Sequence, residues 1–538
     1  MTNSLQRQRR ASPDTAPRTR EVVLAGSGLA VDLLAAILAR GGIGVTVRSD
    51  GDATPPKAGV TTVPYTAELF YLLAARFDVP EIADLAMFGR LPAALQATSG
   101  VKQSLGFIYH RARRATDPSE NVQFSVPGEH AEWHAYLPDV TAHTRRIAEQ
   151  YGARYLAADT AESGTAESMT VGHGGDRQRA LVLDCSSGSS QAMDQLTATA
   201  LFGDVAPFEQ SRPPKDDGYT SPWSEGTLTH AFRGGWVQLA AFGNHPAAGN
   251  HSCAVSISVA APGDSAGFDA AAVDSVLAEL CGRYPDLGLQ LRGSHRQGSW
   301  RVSGTAPLDA RADLALPLSG DSCAALFGQD LTVPLELVHA AAAVLLAPAA
   351  LDGRQAAGAS VRAIEKFAND LLARNARFAA AGRAATVDFA SWNAFLRAWL
   401  LWSISSALAC KKIRIDAVRS GNWASASKFD RGILWFDLAP GIEAVLNRCV
   451  TTIESVDRDS VSVPVAAQRV FDLLSNRRVI PPLYRFGNPR ARRYRLNLAT
   501  RLKLMAWMFT VAPKEYRGML TADNITAVPD RDIELHGA

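Results

Sequence analysis

Hydrophobic and polar positions switch period several times along the chain, and each switch predicts an element. Glu21–Leu24 is a short β-rich run that meets a glycine turn, an alanine/leucine helix ending at Gly41 and Gly42, and a second strand-like run, GVTVRSD, which together make a βαβ unit. Residues 64–80 read as helix, and 99–111 and 121–137 as strands. DVTAHTRRIAEQYGARYL reads as an amphipathic helix with Asp139 at its N-cap. Residues 157–178, rich in Ala, Ser, Gly and Thr, suit a surface hairpin, and RALVLDCSSGSS returns as a buried strand. Residues 226–260 alternate like sheet. Past 335 the pattern turns helical, with Phe389, Trp392, Phe395, Leu396 and Trp399 at three- and four-residue steps, a core stripe.

One strand carries an anomaly. In SGVKQSLGFIYHR, residues 99–111, period two places Val101, Gln103, Leu105, Phe107 and Tyr109 on one face, and Lys102, Ser104, Gly106, Ile108 and His110 on the other. The first face is core-like. The second is small and polar, as the wall of a cavity is, so the amine of Lys102 is expected to face an internal cavity beside Ser104 and Gly106. The plainer alternative is a lysine paired with a buried carboxylate or reaching solvent.

Composition narrows the class without naming a function. A chain of 538 residues with 47% hydrophobic and 20% charged positions is globular, one large elaborated domain or two to three domains. The net charge of +2 points to no acidic partner in bulk. Six scattered cysteines, with no C-x-x-C pair, suit a reducing cytoplasm rather than a disulfide or zinc framework. The first twenty residues are arginine-rich and broken by prolines, with no apolar segment after Arg9 and Arg10, so a disordered tail is expected rather than a secretory signal. The longest apolar run, from Leu337, is too short to span a bilayer, and a cytoplasmic location follows as the expectation.

The turn after the first strand holds Gly26 and Gly28, but the third glycine of a G-x-G-x-x-G dinucleotide turn is Val31, and the ribose-binding acid expected at the end of the second strand is Arg48. HAEWH, residues 130–134, puts His130, Glu132 and His134 on one strand face with no third ligand site evident, so it reads as structure and no metal is expected. Residues 477–517 hold eleven Lys/Arg and one acid, Glu515, a docking surface for an acidic carrier protein, a partner subunit or an anionic surface, or else a solvated helix face. Nothing suggests nucleic acid.

Several segments in order, TTVPYTAELFYLLAARFDVPEI, SGVKQSLGFIYHR, VPGEHAEWHAYLPDVTAHTRRIAEQYGA, GTLTHAFRGGWVQLAAFGNH, PGIEAVLNRCVTTIES and VFDLLSNRRVIPPLYRFGNP, resemble the flavin-dependent halogenases, most of all the actinobacterial members that work on polyketide and phenolic scaffolds. The resemblance covers most of residues 20–490. It implies an α/β (α+β) fold in three parts. The first is an FAD-binding, p-hydroxybenzoate-hydroxylase-like βαβ module (21–60, 140–200 and 300–350). An antiparallel substrate sheet (61–139 and 201–299) is interleaved with it, and a helical C-terminal region (351–538) follows. In that family reduced FAD, oxygen and halide give hypohalous acid, which a lysine at the end of a tunnel aims at an electron-rich carbon. Lys102 falls on that lysine, and Trp236 on the first tryptophan of the W-x-W-x-I-P signature, next to the substrate cavity.

The flavin positions that the resemblance implies are Gly26, Gly28, Asp184, Gly320 and Asp321, and the surrounding pattern departs from the family. The glutamate of G-E-A-T is Val60, an adenosine-end arginine is Pro55, D-A-S-G ends in Ser187, Gln238 replaces the second tryptophan, and the loop after Asp321 is shortened. Losing one hydrogen bond costs about 1–3 kcal/mol, but losses at the ribose, pyrophosphate and isoalloxazine ends together remove most of the affinity. FAD is therefore expected to bind weakly or not at all. Three functions stay open: a halogenase-fold tailoring enzyme of a secondary-metabolite pathway working without flavin through Lys102, an active FADH2-dependent halogenase served by a flavin reductase, and a non-catalytic partner of a true halogenase. Lys102→Ala is expected to leave the fold intact.

Overall fold

A computed structural model describes residues 21–49, 59–125, 132–157, 180–185, 195–208, 221–260, 270–303, 316, 318, 326–327, 329–348, 350, 354–426, 440–457, 461–482, 484–494 and 498–512. In chain order the first elements are β1 (Glu21–Ala25), α1 (Leu29–Arg40), β2 (Gly44–Ser49), β3 (Gly59–Thr61), α2 (Pro64–Phe77), α3 (Ala93–Thr98), β4 (Gly100–Lys102), β5 (Ser104–His110), β6 (Asn121–Ser125), β7 (Glu132–Tyr136), α4 (Leu137–Gln150), β8 (Arg154–Ala157) and β9 (Leu181–Asp184). The remainder are β10 (Gln195–Gly203), β11 (Gly226–Phe232), β12 (Gly235–Ala241), β13 (Cys253–Ala260), α5 (Ala270–Arg283), α6 (Pro285–Gln290), β14 (His295–Ser303), α7 (Gln329–Leu345), α8 (Arg354–Ala385), α9 (Phe389–Ser420), α10 (Pro440–Asp457), α11 (Val463–Leu474), β15 (Arg493–Tyr494) and α12 (Leu498–Thr510).

The expected βαβ unit forms. β1 pairs in parallel with β2 on one side and β9 on the other, in a four-stranded parallel sheet ordered β8-β2-β1-β9. Apolar runs with both faces covered are what a parallel sheet requires, and Val22, Val23 and Leu24 are all buried. An eight-stranded mixed sheet, β14-β10-β13-β12-β11-β5-β6-β15, lies beside a small three-stranded one, β3-β7-β4. Long helices α8 and α9 close the fold. Asp388 caps α9 by accepting from the Ala390 amide at 2.8 Å, and Gly421 ends it at φ +64.

Three local expectations change. Residues 99–111 form not one strand but two, with the break at Gln103: β4 belongs to the small sheet and β5 to the large one. Residues 121–137 likewise divide between β6 and β7, in different sheets. The helix expected to start at Asp139 begins at Leu137, because Pro138 presets the first turn as β7 runs straight into it; Asp139 sits inside that turn and caps nothing. The 157–178 hairpin lies almost wholly outside the described residues.

One apolar cluster runs from α1 and α2 through β5 and α7 to α8, α9, α10 and α11. The stripe read on α9 is part of it: Trp392 and Trp399 are buried against Phe107 of β5 and Phe327, and Phe395 against Trp392 and Phe378. A second cluster lies on the other face of the large sheet under α5 and α6.

Candidate active site

Two short strands build the site. β4 and β7 pair antiparallel with Lys102 directly opposite Glu132, the register at which side chains on one face meet. The Lys102 ammonium lies 2.5 Å from Glu132 Oε2 and donates to the Thr62 carbonyl oxygen. Lys102 is 0% exposed and Glu132 3%. Thr62 is clamped to Trp133: its hydroxyl donates to the Trp133 carbonyl at 3.0 Å and accepts from the Trp133 amide at 2.9 Å. The carbonyl that receives Lys102 is thereby fixed.

Burial pushes the Glu132 carboxyl above its ordinary range, and the Lys102 charge pulls it back. Glu132 Oε1 is buried and accepts no hydrogen bond among the described residues. Burial pushes the Tyr484 phenol up, and the Glu132 carboxylate adds to the shift. Tyr484 and Arg485 adopt φ +53 and +46, unusual for two consecutive non-glycine residues. His134, two residues along the same face of β7, completes the polar patch. Its Nδ1 is 2.8 Å from the Ala241 carbonyl oxygen, which can only accept, so Nδ1 carries the proton and Nε2 accepts from Thr227 at 2.9 Å. The Thr227 hydroxyl accepts in turn from Thr61, at 2.9 Å. Burial lowers the His134 pKa to about 3, with the Lys102 charge adding to it, so the ring is neutral. The arrangement is a dry ammonium–carboxylate pair with one carboxylate oxygen to spare, able to give and take a proton.

The structure does not bring Ser104 and Gly106 to the Lys102 amine. The break at Gln103 ends the alternation that would have placed them there. Ser104 accepts from Gln123 at 3.0 Å, and a Cβ on Gly106 would stand 2.6 Å from the Trp223 ring, so packing fills the space that glycine was expected to leave open. The amine meets a carboxylate, the plainer of the two readings. Trp236 is buried, stacked on Trp392 with ring centres 6.0 Å apart and beside Phe327. Glu132 was the residue sequence reasoning missed as Lys102's partner. Among the described residues Lys102 and Glu132 are the charged side chains buried in strands, which makes them natural partners.

The end of β1 holds the glycine turn. Gly26 (φ +146) is dictated by packing, since a Cβ there would lie 2.9 Å from the Cys185 carbonyl carbon. Gly28 (φ +114), at the start of α1, has no atom within 4 Å of where a Cβ would stand. Asp184, at the end of β9, takes the Leu316 amide on its carbonyl at 2.7 Å. Gly320, Asp321, Pro55, Ser187 and His130 lie outside the described residues. No group of three metal-ligating side chains occurs among the described residues.

No protein-family model matches the chain. It is 25% identical over 537 residues to the monodechloroaminopyrrolnitrin halogenase PrnC of Pseudomonas fluorescens, covering 92% of this chain and 93% of that protein. It is 27% identical over 425 residues to the tetracycline 7-halogenase of Kitasatospora aureofaciens, covering 74% and 75%. Over most of its length the chain is similar to halogenases, which supports the resemblance to the flavin-dependent halogenases read from its segments. The fold agrees. The crystal structure of halogenase PltM in complex with phloroglucinol and FAD superposes with a TM-score of 0.71 at 20% identity, over 85% of this chain and 95% of that one. An FAD complex of a PltM variant gives 0.73 at 20% identity, over 88% and 99%.

The described part of the halogenase cradle fits FAD at one end only. Open space over Gly28 at the N-terminus of a twelve-residue helix suits a pyrophosphate. At the ribose end β2 presents Arg48, a donor where the hydroxyls call for an acceptor.

Proposed function

We propose that this halogenase-fold protein is a tailoring enzyme acting on an electron-rich polyketide or phenolic small molecule, with Lys102 and Glu132 as its acid–base centre and without ordinary use of FAD. The observation that carries the reading is the sealed Lys102–Glu132 pair with its spare carboxylate oxygen. A carboxylate held up by burial is a stronger base than one in water. Glu132 takes the proton of a phenol or of a carbon between two carbonyls, and the Lys102 ammonium stabilises the oxyanion that results. The carbanion adds to a carbonyl carbon of the same molecule, whose C=O π pair becomes an alkoxide that takes the proton back from Glu132, so the ring closes with no change of oxidation state and no redox partner.

The open Gly28 turn favours a second reading, FADH2-dependent halogenation with a flavin reductase as partner and Lys102 as the group that aims the electrophile. Titration of the purified protein with FAD, followed by flavin absorbance and fluorescence, separates the two. The first reading expects a colourless protein and no saturation at micromolar FAD. Stoichiometric flavin on purification overturns it in favour of the second.

A further inference from the structure

The second apolar cluster contains a cavity that the Lys102 centre does not use. It lies on the outer face of the large sheet, with a volume of about 320 Å³, between Phe208, Trp223, Leu228 and Leu239. That is the low end of the size range for small-molecule sites and suits one aromatic ring. Its polar lining is Ser224, Glu225, Asn244, His251, Ser252 and Gln290, with Asn244 bonded to the Val101 backbone and Ser252 to Asn250. The Glu225 carboxylate makes no hydrogen bond or ion pair among the described residues.

Gln290 is held in place from behind. Its side-chain oxygen lies 2.7 Å from His230 Nε2, and His230 Nδ1 lies 2.7 Å from His110 Nε2. Burial lowers the His110 and His230 pKa values to about 2 and about 4, so both rings are neutral and each passes one proton along the chain. His110 Nε2–H donates to His230, and His230 Nε2–H donates to the Gln290 oxygen. That leaves the Gln290 NH2 group as a donor at the cavity, against the Glu225 carboxylate as an acceptor.

We propose that this cavity is a second small-molecule site, for a single-ring aromatic carrying one hydrogen-bond donor and one acceptor, such as an aminophenol or a dihydroxybenzene. The ring would lie against Trp223 and Phe208, its O–H or N–H donating to Glu225 and its other substituent accepting from Gln290. The site is joined to the strand that carries Lys102. The Glu225 carbonyl accepts from the Gln103 amide at 2.7 Å, and Asn244 accepts from the Val101 amide at 2.9 Å and donates to its carbonyl at 2.8 Å. The proposal does not depend on the reaction assigned to Lys102.

The test uses the full chain with meta-aminophenol as probe, measured by calorimetry, and crystals soaked with meta-bromophenol. Saturable one-site binding is expected, weakened about tenfold or more by Glu225→Gln, which removes the charge and keeps the shape. An anomalous bromine peak is expected beside Trp223. Unchanged affinity in Glu225→Gln, no saturation at millimolar probe, or bromine only beside Lys102 would each overturn the proposal. Because Glu225 contributes only its backbone to the fold, the variant is expected to melt with the wild type, and a scan of both checks this.

Discussion

Replacing Lys102 with methionine keeps most of the side-chain volume and strands Glu132 as a buried carboxyl without its cation. Breaking a buried ion pair from one side costs roughly 3–5 kcal/mol, so Lys102→Met and Lys102→Ala should lower the melting temperature as well as abolish activity. This replaces the expectation from sequence that the fold would be untouched, because only the pairing of β4 with β7 sets Glu132 against Lys102. The double variant Lys102→Met/Glu132→Gln should recover part of the stability and none of the activity. A double-mutant cycle of thermal melts that gives additive effects would show that the two side chains do not act as a pair. The buried imidazoles give a second prediction at this scale. His134 and His230 have pKa values lowered to about 3 and about 4 from an ordinary 6.5, so each contributes stability that is fully present above pH 6.5 and is lost as pH falls from there toward those values. Asp32, raised to about 7 by burial, acts in the opposite sense over the same window. Nitrogen NMR of selectively labelled histidine should find both rings neutral at pH 5.5; a midpoint near 6.5 for either would contradict the buried geometry.

At the level of elements, the junction between β5 and β11 leaves no room for a methyl group. A Cβ on Gly226 would fall 2.5 Å from the Ser104 carbonyl oxygen, a backbone atom with no means of retreat short of parting the strands. On Gly106 the clash is with the Trp223 ring, at 2.6 Å, which can shift. Overpacking of this kind costs typically about 1–3 kcal/mol, and Gly226→Ala should be the worse of the two. Equal melting temperatures for both variants and the wild type would count against this register. Gly106→Ala also pushes Trp223 toward the second cavity, so its crystal structure would show directly how freely that wall moves.

For the molecule as a whole, α2 packs against α9 and the cluster that includes Phe107 is completed by Trp392 and Trp399. Core side chains of the sheets and of the C-terminal helices therefore lose their cover together. Calorimetry should show one main unfolding transition, and a chain ending at residue 350 should be insoluble. Two well-separated transitions would mean that the helical part folds independently. No helix among the described residues is long and apolar enough to cross a membrane.

Period and order along the chain were enough to determine the βαβ unit, the alternation inside β5, the core stripe of α9 and the resemblance to halogenases. These depend on local geometry and on a sequence of segments, both of which are written linearly. The expected strand position of Lys102 was also legible, but its surroundings were not. Where a strand stops and which sheet takes up the next residue is decided by backbone pairing with β7 and β11, elements about 30 and 120 residues away. That pairing set Glu132 opposite Lys102, turned Ser104 and Gly106 away from it, and placed Trp223 over the space that a glycine had promised. A two-residue periodicity carries across a strand but not across a break between sheets, and the break at Gln103 was fixed only when its amide found the Glu225 carbonyl.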